Sequence, residues 1–458
     1  MTTAPLLGAS DTIVALATAG ARSALAVVRV TGPDAHKIGS SLLMPWIATP
    51  RRAYLTTLRD PETGQEIDRG IVTIYQAPAS FTGEDMVELS LHGGEIGPSL
   101  AINALLSSGA RQALPGEFTR RALLNGKLDL LQAEAISDLI DSRSRAMHEV
   151  ALGQLAGHLS TRLNQLRASI IELEALLAYD VDFPEEDDGP ISPSRVEDAT
   201  RNVLATIDTL LATTATGEMV RSGAPVVIAG PPNAGKSSLF NALAGTQRAI
   251  VTDVPGTTRD ALEAMLDIGP WPVRLVDTAG LRTSTDLIER LGIEVAERQL
   301  RSAAIVLVCG EDDVSLALAV QNIRALTPGI LIAVGTKSDR VRFSVSIDPK
   351  IDYVPVSART GDGLAELAHR IVEILNRDHE PTSAGNPVLT RERHRVALTK
   401  ARAEIAAFLE NCANGSELPA TVAAVHLHSA RGYLEELVGV LDVEEVLDRV
   451  FSSFCVGK

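Results

Sequence analysis

The stretch GPPNAGKS, residues 230–237, decides the fold of the central part of this chain. It follows an apolar run, APVVIAG, that is typical of a buried strand, and it precedes SSLFNALAG, which has the pattern of a helix. A glycine-rich turn between a strand and a helix leaves its backbone N–H groups free to surround phosphate oxygens. Lys236 can then meet the charges of the outer phosphates, and the Ser237 hydroxyl can ligate Mg²⁺. The stretch therefore predicts a nucleotide phosphate loop in an α/β domain.

Two motifs further along the chain predict the metal side of the same site. GTTRD, residues 256–260, offers the Thr258 hydroxyl as a second Mg²⁺ ligand that can sense the γ-phosphate. DTAG, residues 277–280, ends an apolar strand, so Asp277 would lie near the metal and the Gly280 N–H near the γ-phosphate.

Two more motifs predict the base that is bound. In TKSD, residues 336–339, the Asp339 carboxylate can accept two N–H bonds from guanine, which adenine cannot offer. SAR, residues 357–359, follows the strand pattern IDYVPV and can bring the Ala358 N–H to the guanine O6. The set resembles the five signature motifs of the GTPase superfamily. It departs from that pattern at Thr336, which replaces an Asn whose amide would bridge the base and the phosphate loop.

These motifs leave the group that orients the attacking water unassigned. Many GTPases carry Gln directly after DxxG, but Leu281 stands there and cannot hydrogen-bond to water. Asn233 lies within the phosphate loop, where it could bind a monovalent cation, and residues 246–260 are long enough to wrap over the nucleotide and supply carbonyl oxygens. Such an ion would supply the charge that an arginine finger supplies elsewhere. Glu289 lies on a predicted helix within reach, although spacing alone favours a solvated helix residue.

Composition bounds the remaining possibilities. A length of 458 residues suggests about three domains. The formal charge of -16 argues against coating nucleic acid non-specifically, so RNA contacts would need local basic patches such as residues 119–127 or 390–402, which are more often solvated helix faces. Three cysteines make a disulfide framework improbable and fit a reducing compartment. Since the first 30 residues lack a basic leader and no run could span a bilayer, we expect a cytoplasmic protein without a membrane segment.

The flanking regions differ from the central one. Residues 1 to about 118 contain short β-type runs between Gly and Pro, and in MVELSLH, residues 86–92, alternation places Val87, Leu89 and Leu91 on one face. From about 125 to 178, leucines from Leu152 to Leu177 follow the spacing of a packed helix. Helical patterns return at roughly 193–215 and after about 379. The economical interpretation is an α/β domain inserted into a helical domain, because insertion is tolerated where an α/β unit has its termini close together.

The order of motifs along the whole chain resembles the MnmE (TrmE) family, the bacterial tRNA modification GTPases. The motifs that carry the resemblance are SFTGEDMVELSLHGG, LPGEFTRRALLNGKLDLLQAEAISDLID, GPPNAGKSSLFNALAG, AIVTDVPGTTRD, DTAGLR, IERLGIE and the terminal FCVGK. Other small GTPases share only the middle motifs.

The resemblance implies the fold: α/β and α domains in one chain, with an N-terminal α+β folate-binding domain that dimerises, a discontinuous helical domain and an inserted Ras-like P-loop G domain. The expected boundaries are 1–120 for the N-terminal domain, 121–222 and 379–458 for the two helical parts, and 223–378 for the G domain.

The resemblance also implies an activity. Family members hydrolyse GTP with Mg²⁺, K⁺ promotes association of their G domains, and they act as homodimers. With a flavin-dependent partner, MnmG (GidA), in a heterotetramer or larger complex, they add a carboxymethylaminomethyl or aminomethyl group to carbon 5 of the wobble uridine, position 34, of certain tRNAs. A 5,10-methylene- or 5-formyl-tetrahydrofolate supplies the one-carbon unit.

The family's functional positions can be carried over one by one. Glu289 matches its water-orienting glutamate, and Lys236 and Cys455 complete the predicted catalytic set. Arg29, Glu88, Lys127 and Lys458 match folate-binding positions; if the last helix packs on the N-terminal domain, FCVGK would reach the folate. Mg²⁺ would bind Ser237 and Thr258, and K⁺ would bind Asn233, Thr252, Val254 and Thr257. The GTP-binding set is Asn233, Ala234, Gly235, Lys236, Ser237, Ser238, Thr252, Asp253, Val254, Pro255, Gly256, Thr257, Thr258, Asp277, Thr278, Ala279, Gly280, Thr336, Lys337, Asp339, Ser357, Ala358 and Arg359.

Two alternatives from other classes stay open at this point. A ribosome-assembly or signalling GTPase with unrelated appended domains would give no role to Arg29, Glu88, Lys127 or the tail. A folate-binding one-carbon transferase with vestigial nucleotide hydrolysis is disfavoured by the intact GTTRD and DTAG.

Overall fold

In the computed structural model, the described residues are 11–182, 193–246, 262–277, 296–341, 343, 348, 350–378, 386–413, 420–439, 451, 454 and 457. The chain divides into two compact units, Met1–Ser137 with Glu435–Lys458, and Asp138–Leu434. The predicted boundaries at 120, 222 and 378 stay a prediction.

The first unit contains a mixed seven-stranded sheet in the order β3-β4-β5-β6-β2-β1-β7. All neighbours pair antiparallel except β1 and β7, which are parallel. The strands are β1 Ile13–Leu16, β2 Leu25–Thr31, β3 Leu43–Met44, β4 Ala53–Arg59, β5 Glu66–Tyr75, β6 Met86–His92 and β7 Arg111–Gln112.

The alternation predicted for β6 is present. Val87, Leu89 and Leu91 are each about 1% exposed and join the core, whereas Glu88 on the other face is half-buried. The helices of this unit are α1 Ala35–Leu42, α2 Ile96–Ser107, α3 Glu117–Leu124 and α4 Leu130–Asp141.

The described residues of the C-terminal segment lie on this unit. Phe451 and Phe454 are 3% and 6% exposed and pack with Leu130 and Ala133. Gly457 has a φ of +94°, and a Cβ there would lie 2.2 Å from the Leu16 carbonyl oxygen. Only glycine tolerates both that backbone conformation and that approach. Phe454 and Gly457 of FCVGK are therefore held against the N-terminal unit, as the packing prediction requires.

The helices of the second unit outside its sheet are α5 Arg145–Leu155, α6 His158–Asp182, α7 Pro193–Ala212, α8 Thr214–Ser222, α12 Glu392–Ala413 and α13 Ala420–Val438. The leucine stripe predicted from Leu152 onward as one packed helix is interrupted. Gly157 has a φ of +85°, which ends α5, and Leu152 is 44% exposed. The stripe is buried from Leu159 to Leu173, so the spacing held only within α6.

The same unit contains a six-stranded sheet in the order β13-β12-β11-β8-β10-β9. Only β9 runs antiparallel, against β10. Its strands are β8 Ala224–Ala229, β9 Leu262–Ile268, β10 Trp271–Asp277, β11 Ile305–Gly310, β12 Ile330–Thr336 and β13 Asp352–Val356, and its helices are α9 Lys236–Thr246, α10 Asp313–Arg324 and α11 Leu364–Asp378, with residues 296–302 also helical.

Two helices outside this sheet share its core. Ala146 of α5 and Val220 of α8 belong to the same buried cluster as Leu266 and Trp271 of the β9–β10 hairpin. The chain that leaves the α/β segment is also anchored, because the Gln154 side-chain amide donates to the Val388 carbonyl at 3.0 Å. The α/β segment is therefore packed onto α5 and α8 rather than joined to them by linkers alone.

Candidate functional site

The carboxyl ends of five strands meet at one edge of the second sheet. Because β8, β10, β11, β12 and β13 are parallel, their carboxyl ends lie side by side. The residues at these ends are Gly230, Asp277, Gly310, Thr336 and Ser357. The parallel sheet thus brings residues from four of the five predicted motifs to one edge.

The phosphate loop is held from within. The Lys236 ammonium donates to the Gly230 and Pro231 carbonyls at 2.9 and 2.7 Å, and the Ser237 hydroxyl donates to an Asp277 carboxylate oxygen at 2.7 Å. Asp277 is fully buried and Lys236 is 8% exposed. A hydroxyl and a carboxylate oxygen in contact are the hard oxygen donors that Mg²⁺ prefers.

Thr336 contacts the phosphate loop through its hydroxyl. The Oγ1 atom lies 2.8 Å from the Ala234 carbonyl and 3.0 Å from the Gly310 carbonyl, and the side chain is buried. The sequence predicted that this Thr removes the bridge that an Asn amide would make. The structure corrects half of that prediction: the link to the phosphate loop is kept by the hydroxyl, which has no second donor to offer a base.

Lys337, the residue after Thr336, also links the loop that follows β12 to the loop that follows β8. Its ammonium donates to the Asn233 carbonyl at 3.1 Å and pairs with the Glu311 carboxylate. Asn233 and Lys337 both have positive φ, 63° and 57°, a conformation that non-glycine residues adopt only where contacts impose it. The segment that follows β12 and the segment that follows β8 are therefore tied together by side-chain contacts.

Asp339 occupies the position from which a base would be read. Its carboxylate accepts from the Ser357 hydroxyl at 2.8 Å and from the Arg359 guanidinium at 2.7 Å. These partners, the Ser357 hydrogen bond first and the Arg359 charge after it, lower the pKa of Asp339, so the carboxylate is ionised at neutral pH. An ionised carboxylate is the acceptor that paired N–H donors require.

A cavity of about 490 Å³ opens beside this carboxylate. It is a size suited to a small-molecule ligand. Predicted GTP-binding residues line part of it, namely Gly235, Ser238, Thr336, Lys337, Asp339, Ala358 and Arg359. The other lining residues are Leu239, Asn241, Ala242, Arg340 and Val356.

Burial rules out one cysteine as a nucleophile. Cys309, at the end of β11, is fully buried, and burial raises the pKa of its thiol to about 12. A thiol with that pKa is inert at neutral pH.

A second cluster lies on the sheet of the first unit. The Arg29 guanidinium donates to one Glu88 carboxylate oxygen at 2.8 Å, and the Tyr75 hydroxyl donates to the other at 3.1 Å. Arg29 and Glu88 are cross-strand partners. Glu88 also pairs in register with Thr73, which lies two residues before Tyr75 on the same strand. Both side chains are part-exposed, at 29% and 20%, so the pair faces a surface that a ligand can reach.

The loop between β5 and β6, residues 76–85, joins Lys127 to this pair. The Lys127 ammonium donates to the Pro78 carbonyl at 3.0 Å, and the Phe81 ring lies 5.8 Å below the Arg29 guanidinium. The Asn125 amide fixes the same loop by donating to the Thr82 carbonyl at 2.7 Å. The structure therefore brings Arg29, Glu88 and Lys127 to one loop.

Sequence reasoning missed three residues in these sites. Tyr75 holds the Glu88 carboxylate, Phe81 lies under Arg29, and Glu311 pairs with Lys337. For Tyr75 a signal existed, because it ends a β-type run and strand alternation could have placed it beside the face of Glu88. Phe81 and Glu311 lie in loops, whose contacts no periodicity predicts.

Several predicted site residues fall outside the described residues. They are Thr252, Asp253, Val254, Pro255, Gly256, Thr257, Thr258, Thr278, Ala279, Gly280, Glu289, Cys455 and Lys458.

Comparison with known proteins identifies the chain's relatives. A family profile described as the MnmE helical domain matches residues 130–455, and one described as the GTP-binding protein TrmE N-terminus matches residues 12–127. The chain belongs to the MnmE family. The predicted membership is confirmed, and with it the prediction of a tRNA modification GTPase.

Curated members of the MnmE family align over their full length. The tRNA modification GTPases MnmE of Moorella thermoacetica and Aquifex aeolicus are each 38% identical, over 98% of this chain and 99% and 100% of their own lengths. That of Hyphomonas neptunium is 39% identical over 99% of this chain and 100% of its own. Among solved structures, the G domain of the T. maritima FeoB iron transporter matches 32% of this chain at 29% identity with a TM-score of 0.26.

We predict that Thr336→Val weakens GDP binding by roughly 5- to 50-fold, because the isosteric change removes the hydroxyl donor shared by the buried Ala234 and Gly310 carbonyls. Fluorescence titration with a labelled GDP measures the affinity, and thermal unfolding reports whether the fold survives.

Thr336→Ser is the matched control, since it keeps the hydroxyl and removes only a methyl group. GDP affinity within about threefold of the unmodified chain is expected for it. GDP binding by Thr336→Val as tight as that of Thr336→Ser would contradict the proposed tie between the two loops.

Proposed function

We propose that this chain is a K⁺-activated GTP hydrolase that acts with a flavin-dependent MnmG (GidA) partner to add a carboxymethylaminomethyl group to carbon 5 of uridine 34 of certain tRNAs, using a folate one-carbon unit. The observation that carries the proposal is the pair of sites within one MnmE family chain. One is the guanine-type pocket at Asp339, and the other is the Arg29–Glu88–Tyr75 cluster on the first sheet.

At the GTP site, Lys236 would bind the outer phosphates and exchange its contacts with Gly230 and Pro231 for phosphate oxygens. Mg²⁺ would be held by Ser237, Thr258 and, from its buried position, Asp277, and it would neutralise charge on the phosphates. Ser237 and Asp277 fit that ion because their oxygens already converge at 2.7 Å.

The residues for K⁺ would be Asn233, Thr252, Val254 and Thr257. Asn233 fits this role because its side chain is exposed at the turn of the phosphate loop while Lys337 holds its carbonyl. The ion would supply positive charge at the phosphates, the role that an arginine finger has in other GTPases. Glu289 would orient the attacking water, since Leu281 cannot.

At the first-unit cluster, Glu88 would accept paired N–H groups of a pterin, held in place by Arg29 and Tyr75. Lys127, and Lys458 beyond Gly457, would hold the anionic glutamate tail of the folate. The polar set fits such a ligand: it contains one oriented carboxylate, an arginine that pairs with it, and an exposed lysine that donates to the 76–85 loop. Cys455 would stand near the one-carbon carrier.

We further propose that a second copy of this chain covers the exposed sheet face of the first unit. Leu55 and Ile71 are cross-strand partners, and they are 69% and 49% exposed. Ile71 also pairs with Ser90, two residues from Glu88 on the same face, so the apolar pair adjoins the proposed folate site. An apolar strip of this kind is typical of an interface.

We also propose that the reaction takes place in the cytoplasm. The tRNA-modifying role and the cysteine usage favour that compartment. Among the described helices, none combines the length and the apolar character needed to cross a membrane.

The nucleotide part of the proposal predicts that GTP turnover is at least about tenfold faster in KCl than in NaCl at equal ionic strength, because K⁺ supplies charge in the transition state. Glu289→Ala should abolish the K⁺-stimulated rate and leave GDP affinity unchanged, since its proposed partner is the water. Steady-state phosphate release measures both. Equal, slow rates in the two salts would contradict the cation mechanism.

The folate part predicts that Glu88→Gln weakens binding of 5-formyl-tetrahydrofolate by about tenfold or more, because an amide cannot accept paired N–H bonds as a carboxylate does. Isothermal titration calorimetry measures the affinity. Glu66→Gln is the control, since Glu66 is an exposed carboxylate of the same sheet that also pairs with an arginine.

A second pair of variants tests the tail. Gly457→Ala should displace Lys458 and weaken the same folate, because its Cβ would meet the Leu16 carbonyl, whereas Gly109→Ala has an equally unusual φ of +105° with nothing within 4 Å. Unchanged affinity in both Glu88→Gln and Gly457→Ala would place the folate elsewhere.

A further inference from the structure

Both oxygens of the Asp339 carboxylate are already engaged by the chain itself. Ser357 donates to Oδ1 at 2.8 Å and the Arg359 guanidinium lies 2.7 Å from Oδ2. The Asp339 side chain is 10% exposed and borders the cavity. The chain thus supplies a donor to each oxygen of this carboxylate.

Ser357 and Arg359 differ in whether a guanine can bind Asp339 beside them. Each carboxylate oxygen has two lone pairs, so Ser357 can stay on Oδ1 while a base N–H also binds there. The Arg359 guanidinium lies 2.7 Å from Oδ2, and the Arg340 Nε lies 3.9 Å from the same oxygen. Paired N–H donors of a base need both oxygens at once, so one of these donors competes with Arg359 for Oδ2.

Arg359 is placed to leave without disturbing the fold. Its side chain is 70% exposed, it follows β13 in a loop, and it lines the same cavity as Asp339. Within the described residues, its ion pair with Asp339 is the contact that holds it over the pocket. We infer that Arg359 is an internal competitor for guanine, which occupies Asp339 in the empty pocket and is displaced when the base binds.

This inference rests on the guanine pocket of the proposed function and adds a determinant of its affinity. If Asp339 is free to bind a base in only a fraction of the molecules, the apparent dissociation constant of GDP equals the intrinsic constant divided by that fraction. The effect falls on association, because Arg359 blocks the empty pocket and has already left in the complex. Removal of a residue that contacted the bound base would instead change the dissociation rate constant.

Arg359→Ala should therefore raise the association rate constant of GDP by about three- to tenfold and leave the dissociation rate constant within about twofold, the range expected when an ion pair of this exposure is removed. Stopped-flow fluorescence with a labelled GDP measures both constants.

Arg340→Ala is the matched control. Arg340 is also 70% exposed and lines the same cavity, but its Nε is 3.9 Å from the same Asp339 oxygen. Its removal changes the local charge equally without removing a close contact, so both rate constants should stay within about twofold.

The outcomes separate the inference from the function it rests on. A faster dissociation in Arg359→Ala would overturn the inference, because it would mean that Arg359 holds the bound base. Equal acceleration by Arg340→Ala would also overturn it, since net charge alone would then be the cause. Asp339→Asn tests the pocket itself: if that variant keeps full GDP affinity, the guanine pocket is wrongly placed, whatever Arg359 does.

Discussion

The parallel pairing of β8 with β10 and β11, and of β11 with β12, is the constraint on which the nucleotide site depends. It brings segments far apart in sequence to one edge, where short hydrogen bonds lock them together. The Thr336 hydroxyl bonded to the Ala234 carbonyl is the clearest of these, since it joins residues 102 positions apart. In the proposed function, a base read at Asp339 and phosphates bound at Lys236 would lie along this one edge, so that binding of one part of a nucleotide would position the other.

The same packing offers a route from that edge to the helical segments. β10 carries Asp277 at its end and pairs with β9, and the hairpin of these two strands shares a core with α5 and α8. Gly223, between α8 and β8, packs so closely on Met265 of β9 that a Cβ there would lie 2.7 Å from its sulfur. A rearrangement around Asp277 would therefore reach α5 and α8 through packed side chains. Closely packed interiors transmit such shifts because they deform little.

The motifs of the nucleotide edge could be placed from the sequence because they accompany apolar strand runs. Asp277 ends β10, Asp339 follows β12 by three residues, and Lys236 begins α9 after the loop that follows β8. Parallel topology brings the ends of such strands to one edge. The predictions failed where a single backbone conformation decided the outcome. At Gly157 a positive φ ends a helix that the leucine spacing would have continued.

Other features could not be read from the chain because they depend on loops. No periodicity groups Arg29, Glu88 and Lys127, and the resemblance to a family suggested a common site. The structure supplies a physical link, the 76–85 loop, which contacts Arg29 and Lys127 and leads into the strand that carries Glu88. At Thr336 the residue type predicted the loss of a bridge between the base and the phosphate loop. The structure shows that the contact with the phosphate loop is retained through the Thr336 hydroxyl.

In the proposed function, one chain uses the Asp339 pocket and the Glu88 cluster for a single modification of tRNA. Nucleoside mass spectrometry of tRNA from cells that lack the chain, complemented with the unmodified chain, with Asp339→Asn or with Glu88→Gln, tests this most directly. We expect that the unmodified chain restores 5-carboxymethylaminomethyl-uridine and that each variant, expressed at the same level, fails to do so. Full restoration by Glu88→Gln, with Asp339→Asn inactive, would show that the modification needs the nucleotide site alone and would contradict the role proposed for the Glu88 cluster.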